Sequence, residues 1–256
     1  MENCEKLFKF AAKQSLFSKI DTVMKKLFMM AVAAFMATTS ANAQFEKGTW
    51  SIQPFVGGVV SSVTNVEPLD VGNGDLKKKM AAGFIIGGEA EYQFADRFSI
   101  AAGLNYTTQG CAWEDYAYYE GPIKVKINNQ NDILGYLKIP VVANCYIFKG
   151  FAVKAGIQLG FMVDSKFLAH GESKMDIFGD GVARDVDLWG TVDMKDLYQK
   201  FDFSIPIGIS YQFKAPITID ARYQIGLTRL NKETFPGVKN SKNSVFTLTV
   251  GYKFAL

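Results

Sequence analysis

One histidine, three cysteines and three tryptophans in 256 residues is a thin supply of the side chains that most often carry chemistry. A lone imidazole, His170, excludes zinc sites built from several histidines, and Cys4, Cys111 and Cys145 are too few for a disulfide framework. An excess of one charge is also missing. The 28 basic and 25 acidic residues are scattered along the chain, so there is no basic field for nucleic acid, which is not an expected partner. No apolar run approaches the roughly 20 residues of a membrane-spanning helix; Leu27–Ala37 has 11. After Gln44, no segment keeps a period of 3.6.

What is present begins with an address. From Met24 the chain reads MKKLFMMAVAAFMATTSANAQ, with Lys25 and Lys26 before the apolar run and the small-residue site Ala41-Asn42-Ala43 after it. That order reads as a secretory signal peptide over 24–43, cleaved after Ala43 to leave Gln44 first. Residues 1–23 are expected to be an extension from a misassigned start, with Met24 the initiator. The spacing of Leu7, Phe8, Phe10, Ala11, Leu16 and Phe17 keeps an amphipathic presequence as the alternative. Cys4 leaves with this segment. Cys111 and Cys145 are expected at opposite ends of one strand, too far apart for a disulfide, and no cysteine follows the signal to take a lipid anchor.

Residues 44–256 form one domain of eight alternating segments: 49–61, 82–94, 98–110, 133–147, 151–163, 201–213, 217–229 and 244–256. The clearest, 151–163, sets Phe151, Val153, Ala155, Ile157, Leu159 and Phe161 on one parity without a break. Period 2 marks strands whose faces meet different surroundings. At about 13 residues each, the segments exceed the 5 or 6 of soluble strands and suffice for the roughly 9 to 11 of a tilted membrane strand. Connections alternate too. ADR (95–97), FKG (148–150) and KAP (214–216) suit tight hairpins, whereas the others are long, above all 164–200. Short turns at one rim and long loops at the other predict an all-β, eight-stranded antiparallel transmembrane up-and-down barrel. Its turns and both termini are expected in the periplasm, its loops outside the cell.

Charge follows the same parity. The apolar face of the strands lacks Asp, Glu, Lys and Arg in its central part, while the opposite face carries Glu89, Glu91, Asp202 and Asp220 with Lys138, Lys154, Arg222 and Lys253. An eight-stranded interior is just wide enough to fill with side chains, and buried charges must be paired. A plugged, salt-bridged lumen is expected rather than an open pore. Trp50, Tyr92, Phe94, Phe98, Tyr146, Phe151, Phe213, Tyr252 and Phe254 are expected to form an aromatic girdle at the turn side, with Tyr106, Phe161 and Phe201 at the other. Pro140 and Pro206, on the inward parity, are expected to mark bulges or bends.

Three stretches then carry a resemblance: YLKIPVVANCYIF (136–148), FDFSIPIGISYQF (201–213) and the closing VGYKF (250–254). With them the chain resembles the outer-membrane β-barrel proteins of Bacteroidetes described as PorT-like or OmpX-like, over about residues 45 to 256. The C-terminal TVGYKFAL resembles the assembly signal of such barrels, which gives Thr249, Gly251, Phe254 and Leu256 that role, although many end on the aromatic itself. The resemblance implies outer-membrane lipid and lipopolysaccharide, the barrel-assembly machinery and envelope proteins as partners.

Candidate chemistry is sparse. His170 near Ser173 and Asp164 or Asp176 offers a nucleophilic set, but no Gly-x-Ser-x-Gly elbow accompanies it. Asp176, Asp180, Asp185 and Asp187, and DVGNGD (70–75), are oxygen-rich without the spacing of a Ca²⁺ loop. Lys77, Lys78 and Lys79 offer positive charge to lipopolysaccharide phosphates. The expected function is that of a non-enzymatic integral outer-membrane protein, without cofactor or metal, whose surface loops serve contact or envelope integrity. The alternatives are an accessory of a secretion or transport assembly, a narrow channel, or a lipid-modifying barrel enzyme.

Overall fold

The computed structural model describes residues 46–256 apart from 67–68, 71–74, 121–122, 149, 176–183, 194, 214 and 233–237. The N-terminal extension and the signal peptide, with Ala41 and Ala43, lie outside the described residues. The strands are β1 (Trp50–Val66), β2 (Leu69–Asp70), β3 (Asp75–Leu76), β4 (Lys78–Ala95), β5 (Phe98–Trp113), β6 (Tyr116–Glu120) and β7 (Ile123–Phe148). They continue with β8 (Phe151–Met175), β9 (Arg184–Asp193), β10 (Phe201–Gln212), β11 (Ile217–Gly226), β12 (Val238–Tyr252) and β13 (Phe254–Ala255).

Eight of these close a ring of antiparallel pairs, β4-β1-β12-β11-β10-β8-β7-β5, with β5 returning to β4. Closure is made by the last strand. β12 pairs with β1 from Phe55 opposite Gly251 to Ser62 opposite Ser244, and β13 extends that seam with Phe254 opposite Ile52. A closed ring leaves no edge to satisfy in lipid. Alternation decides which side is which. Val56, Val60, Phe84, Ile86, Leu104, Ile139, Ile157, Ile207, Ile225 and Leu248 are exposed in an apolar band around the ring, while the residues between them are mostly buried inside. A continuous apolar band of that extent is incompatible with water and matches lipid.

The turn rim holds the hairpins after β4, β7 and β10. Gly150 takes φ +82° in the second, where a side chain would meet the Gln212 carbonyl. The loop rim differs from the sequence expectation. Segment 164–200 is not all loop, because β8 runs on to Met175 and β9 pairs back on it from Arg184 opposite Met175 to Asp193 opposite Lys166. β7 likewise begins at Ile123 and pairs with β6. Beyond the ring, a sheet in the order β6-β7-β8-β9 therefore continues from two barrel strands.

Three further expectations are corrected. Cys111 and Cys145 lie on β5 and β7, at opposite ends of that strand pair, Cys145 opposite Phe98 and Cys111 opposite Asp132; both are free thiols. Pro140 and Pro206 make no bulge: the β5–β7 ladder skips Pro140 and the β8–β10 ladder skips Pro206 without a change of register, the mark of a missing N–H donor. Tyr146 does not join the girdle but is buried inside, whereas Trp50, Phe94, Phe98 and Phe213 are exposed at the turn rim. There Trp50 packs on Tyr92 at 4.9 Å and Phe148 stacks on Phe151 at 4.8 Å.

Candidate functional site

The lumen is where the sequence concentrates its polar side chains. All eight inward charges are at most 9% exposed. They fall into separate groups along the barrel axis. In the middle, the Arg222 guanidinium on β11 reaches across the lumen to clamp Glu89 on β4, donating from Nη1 to Oε1 and from Nη2 to Oε2 at 2.8 Å. Its Nε donates to Asp220 Oδ1 at 2.7 Å, and Lys154 Nζ donates to Asp220 Oδ2 at 2.6 Å. Two acids meet two bases, and the two-pronged Arg–carboxylate geometry is the strongest such pair.

Toward the turn rim, Glu91 accepts from Lys253 Nζ at 2.7 Å, the Tyr146 hydroxyl at 2.6 Å and Ser99 Oγ at 2.6 Å, while Asn144 donates to Ser99 at 2.9 Å. This explains why Tyr146 turns inward: its hydroxyl completes the shell of a buried carboxylate.

Toward the loop rim the pairing is looser than the sequence suggests. Lys138 donates to the Gln109 and Gln224 side-chain carbonyls at 2.6 and 2.7 Å, and Asp202 accepts from Thr228 at 3.0 Å and Asn243 at 3.2 Å. Lys138 and Asp202 do not touch, because each stands opposite Gly160 on a different side of β8. Amides and hydroxyls replace the ion pair. A cavity of about 10 Å³, room for about one water, is left among Phe55, Ile85, Asn105, Gln158, Arg222 and Thr247.

At its loop end the lumen is capped. Val63, Cys111, Leu134, Tyr136 and Leu230 form a buried apolar cluster, with Trp113, Met162 and Tyr198 packed against it. Two of these come from outside the barrel strands. Residues 197–200 carry the β10 wall past the ring, with Gln199 N donating to Leu230 O at 2.7 Å, Lys232 N to Leu197 O at 3.0 Å and Met162 N to Lys200 O at 2.7 Å, and Tyr198 turns into the cluster. Beneath them the Asp132 carboxylate accepts from Trp113 Nε1 at 3.1 Å, Cys111 Sγ at 3.4 Å and the Tyr198 hydroxyl. Burial and that carboxylate push the Tyr198 hydroxyl above the ordinary phenol range, so it stays a donor. Neither Tyr198 nor Leu230 stood out in the sequence. Both lie in irregular segments, and the one available signal was an apolar residue within each polar connection.

A family model described as outer membrane protein beta-barrel domain matches residues 42–231. The chain belongs to this family. Membership places it in the outer membrane. The match ends before β12, whose pairing with β1 completes the ring. Among solved structures, the chain is similar to the attachment invasion locus protein Ail of Yersinia pestis, at 15% identity over 82% of this chain and 100% of that one, with a TM-score of 0.37. Neisserial surface protein A is similar at 16% identity over 80% and 97%, with a TM-score of 0.38. OprG of Pseudomonas aeruginosa is similar at 12% over 83% and 99%, with a TM-score of 0.37. No curated protein matches the chain.

Other candidate residues of this barrel are scattered. His170 and Ser173 stand on β8 at positions three apart, paired with Trp189 and Val186 of β9. Asp164 lies lower on β8, paired with Lys166 at 3.0 Å, and Asp176 and Asp180 lie outside the described residues. Asp185 and Asp187 are on β9, and Asp70 and Asp75 are opposite each other in the β2–β3 hairpin. Among the described residues, no three His, Cys, Asp or Glu side chains gather as metal ligands. Of the lysine triplet, Lys78 turns its ammonium to the Val63 carbonyl. Thr249 and Gly251 face the lumen on β12, Phe254 pairs at the closing seam, and Leu256 is exposed.

Proposed function

We propose that the chain is a non-enzymatic outer-membrane barrel with a permanently filled lumen, oriented with its turns and both termini in the periplasm. It acts through its loop rim, by surface contact or by maintaining the envelope. The observation that carries this reading is the lumen itself: among the described residues, the Arg222–Glu89–Asp220–Lys154 group spans it and the cluster of Val63, Cys111, Tyr136, Tyr198 and Leu230 fills its loop end. A channel or an interior catalytic site needs room that is filled here by side chains. The test is planar-bilayer recording of protein from Gln44 onward, with heat-dependent gel mobility to verify the closed barrel. Silence is expected; a steady ohmic conductance would refute the reading. Orientation is tested separately on intact cells. Asn240→Cys at the loop rim should label with an impermeant maleimide, and Arg97→Cys at the turn rim should not.

A second reading, the PorT-like accessory of a secretion or transport assembly, draws on the sheet beyond the ring. Its outer strands, β6 and β9, carry no further strand among the described residues, and an open edge accepts another extended chain. Co-purification of an envelope protein that is lost when β9 is deleted would favour it.

A further inference from the structure

Five acids are buried among the described residues of the lumen and its cap, because Asp132 joins Glu89, Glu91, Asp202 and Asp220; the buried bases are four, Lys138, Lys154, Arg222 and Lys253. Arg222 and Lys154 are taken by Glu89 and Asp220, and Lys253 by Glu91. Asp132 has no base within ion-pair distance among the described residues. Its partners are neutral: Trp113 Nε1 at 3.1 Å, Cys111 Sγ at 3.4 Å and the Tyr198 hydroxyl. The first two both donate to Oδ2, which leaves Oδ1 as the oxygen able to hold a proton.

The elements packed around Asp132 bring it no paired cation. β5 contributes the Cys111 thiol, segment 195–200 the Tyr198 hydroxyl and β7 itself the Tyr136 hydroxyl, while the β8 register sets Phe167 opposite. β4 brings one base, Lys78, but its ammonium is turned to the Val63 carbonyl of β1 at 2.5 Å. Asp202, lower in the lumen, bonds Thr228 and Asn243. On the outside, Asp164 and Lys166 at this level are partly exposed and paired at 3.0 Å, so the site stands clear of the lipid band. Burial raises the Asp132 carboxyl above the ordinary carboxylate range, against the opposing pull of its three hydrogen bonds.

We propose that Asp132 is a proton-operated latch for the loop-end cap: as the neutral acid it lets the cluster close over it, and on ionising it loosens Tyr198 and Cys111 from the barrel mouth. Closed, the carboxyl is buried and keeps its proton to higher pH; opened, it meets water and ionises in the ordinary range. Closure therefore takes up a proton. Its contribution is fully present below the ordinary carboxylate range and is lost as pH rises through the raised value. Glu89, Glu91 and Asp220 have bases beside them and need no proton to stay buried. The Arg222 group still blocks the middle of the lumen, so the latch changes the surface at the loop rim and not the conductance. It deepens the reading that the barrel acts through that rim, while the latch itself does not depend on it.

The test uses protein from Gln44 onward with Cys145→Ser, refolded in lipid vesicles and verified as folded by heat-dependent mobility. Cys111 is labelled with a water-soluble maleimide from about pH 5.5 to about pH 8, and each rate is divided by that of the urea-unfolded protein at the same pH, which cancels the titration of the thiol. The ratio should rise with pH, by at most about tenfold per unit, as one proton released on opening requires. Asp132→Asn, uncharged throughout, should flatten the profile, and Asp202→Asn should keep the original slope. Infrared spectroscopy checks the proton directly and does not require Asp132→Asn to fold: a protonated-carboxyl band should be present where exposed aspartate is ionised, and Tyr198→Phe should shift its frequency. A flat ratio, a slope that survives Asp132→Asn or vanishes in Asp202→Asn, or a band that is absent or unmoved by Tyr198→Phe would overturn the latch. A steady conductance appearing as pH rises would refute the filled lumen and leave the latch standing.

Discussion

Arg222 and Lys138 are both buried cations on the lumen wall, yet their removal should have different consequences. Arg222→Ala withdraws every cation from Glu89 and leaves Asp220 with Lys154 alone. An uncompensated buried carboxylate costs about 3–5 kcal/mol. Lys138→Met removes a charge that has no carboxylate in contact, and Gln224 keeps the bond from Gln158 at 2.9 Å. The loss is then mainly the Gln109 amide, about 1–2 kcal/mol. Urea unfolding in lipid vesicles, followed by the heat-modifiable band, compares the two. Equal losses would show that the amide shell of Lys138 matters as much as the ion pairs around Arg222. All eight lumen charges were legible in the sequence, because parity sorts them. Which of them touch was not, because contact across a lumen depends on strand order and stagger. Gly160 between Lys138 and Asp202 is the clearest case: equal numbers of acids and bases read as four pairs, and the fold makes three with one pair kept apart.

At the scale of elements, the short segment 195–200 runs on from β10 and is held by backbone bonds to Met162, Leu230 and Lys232. Tyr198 is its side-chain anchor, bonded to Asp132 over the Cys111 thiol. Cys111 therefore reports on the cap without any added probe. In protein from Gln44 onward with Cys145→Ser, Cys111 is the remaining cysteine and should react slowly with a water-soluble maleimide. Tyr198→Phe, which deletes the bond and leaves a buried carboxylate short of a donor, should speed labelling on the order of tenfold. Unchanged labelling would mean that backbone bonds alone hold the cap shut. The closing strand invites a different experiment. Phe254 packs on Tyr252 at 5.2 Å opposite Ile52, so Phe254→Ala weakens one seam position but leaves the β12 ladder intact. If the C-terminus is read as an assembly signal, the variant should refold in detergent like wild type yet accumulate several-fold less in the outer membrane of cells. Equal accumulation would remove that role. Barrel strands were legible because one face meets lipid. The extensions of β7 and β8 were not: stretches such as KVKINNQND and SKFLAHGESK keep no alternation of apolar and polar residues along their length to mark a strand.

The whole molecule closes its lumen twice, and the closures are in series. The Arg222 group blocks the middle, and the Leu230–Tyr198 cap blocks the loop end. Conductance through a narrow tube is governed by its tightest point, so opening either block alone should leave current near baseline. Arg222→Ala with Glu89→Ala removes both halves of the clamp together, which avoids stranding a charge and keeps the barrel foldable. Deleting residues 195–199 removes Tyr198 and the run-in to β10 without touching a ring strand. Each change alone should be silent in planar bilayers. Together they should give a steady conductance, a non-additivity expected of blocks in series rather than of independent leaks. Current from the cap deletion alone would make the clamp a porous filter, with the cap as the true seal. Current from the clamp variant alone would reverse those roles, and silence from the combination would place the remaining barrier at Lys138 and its amides.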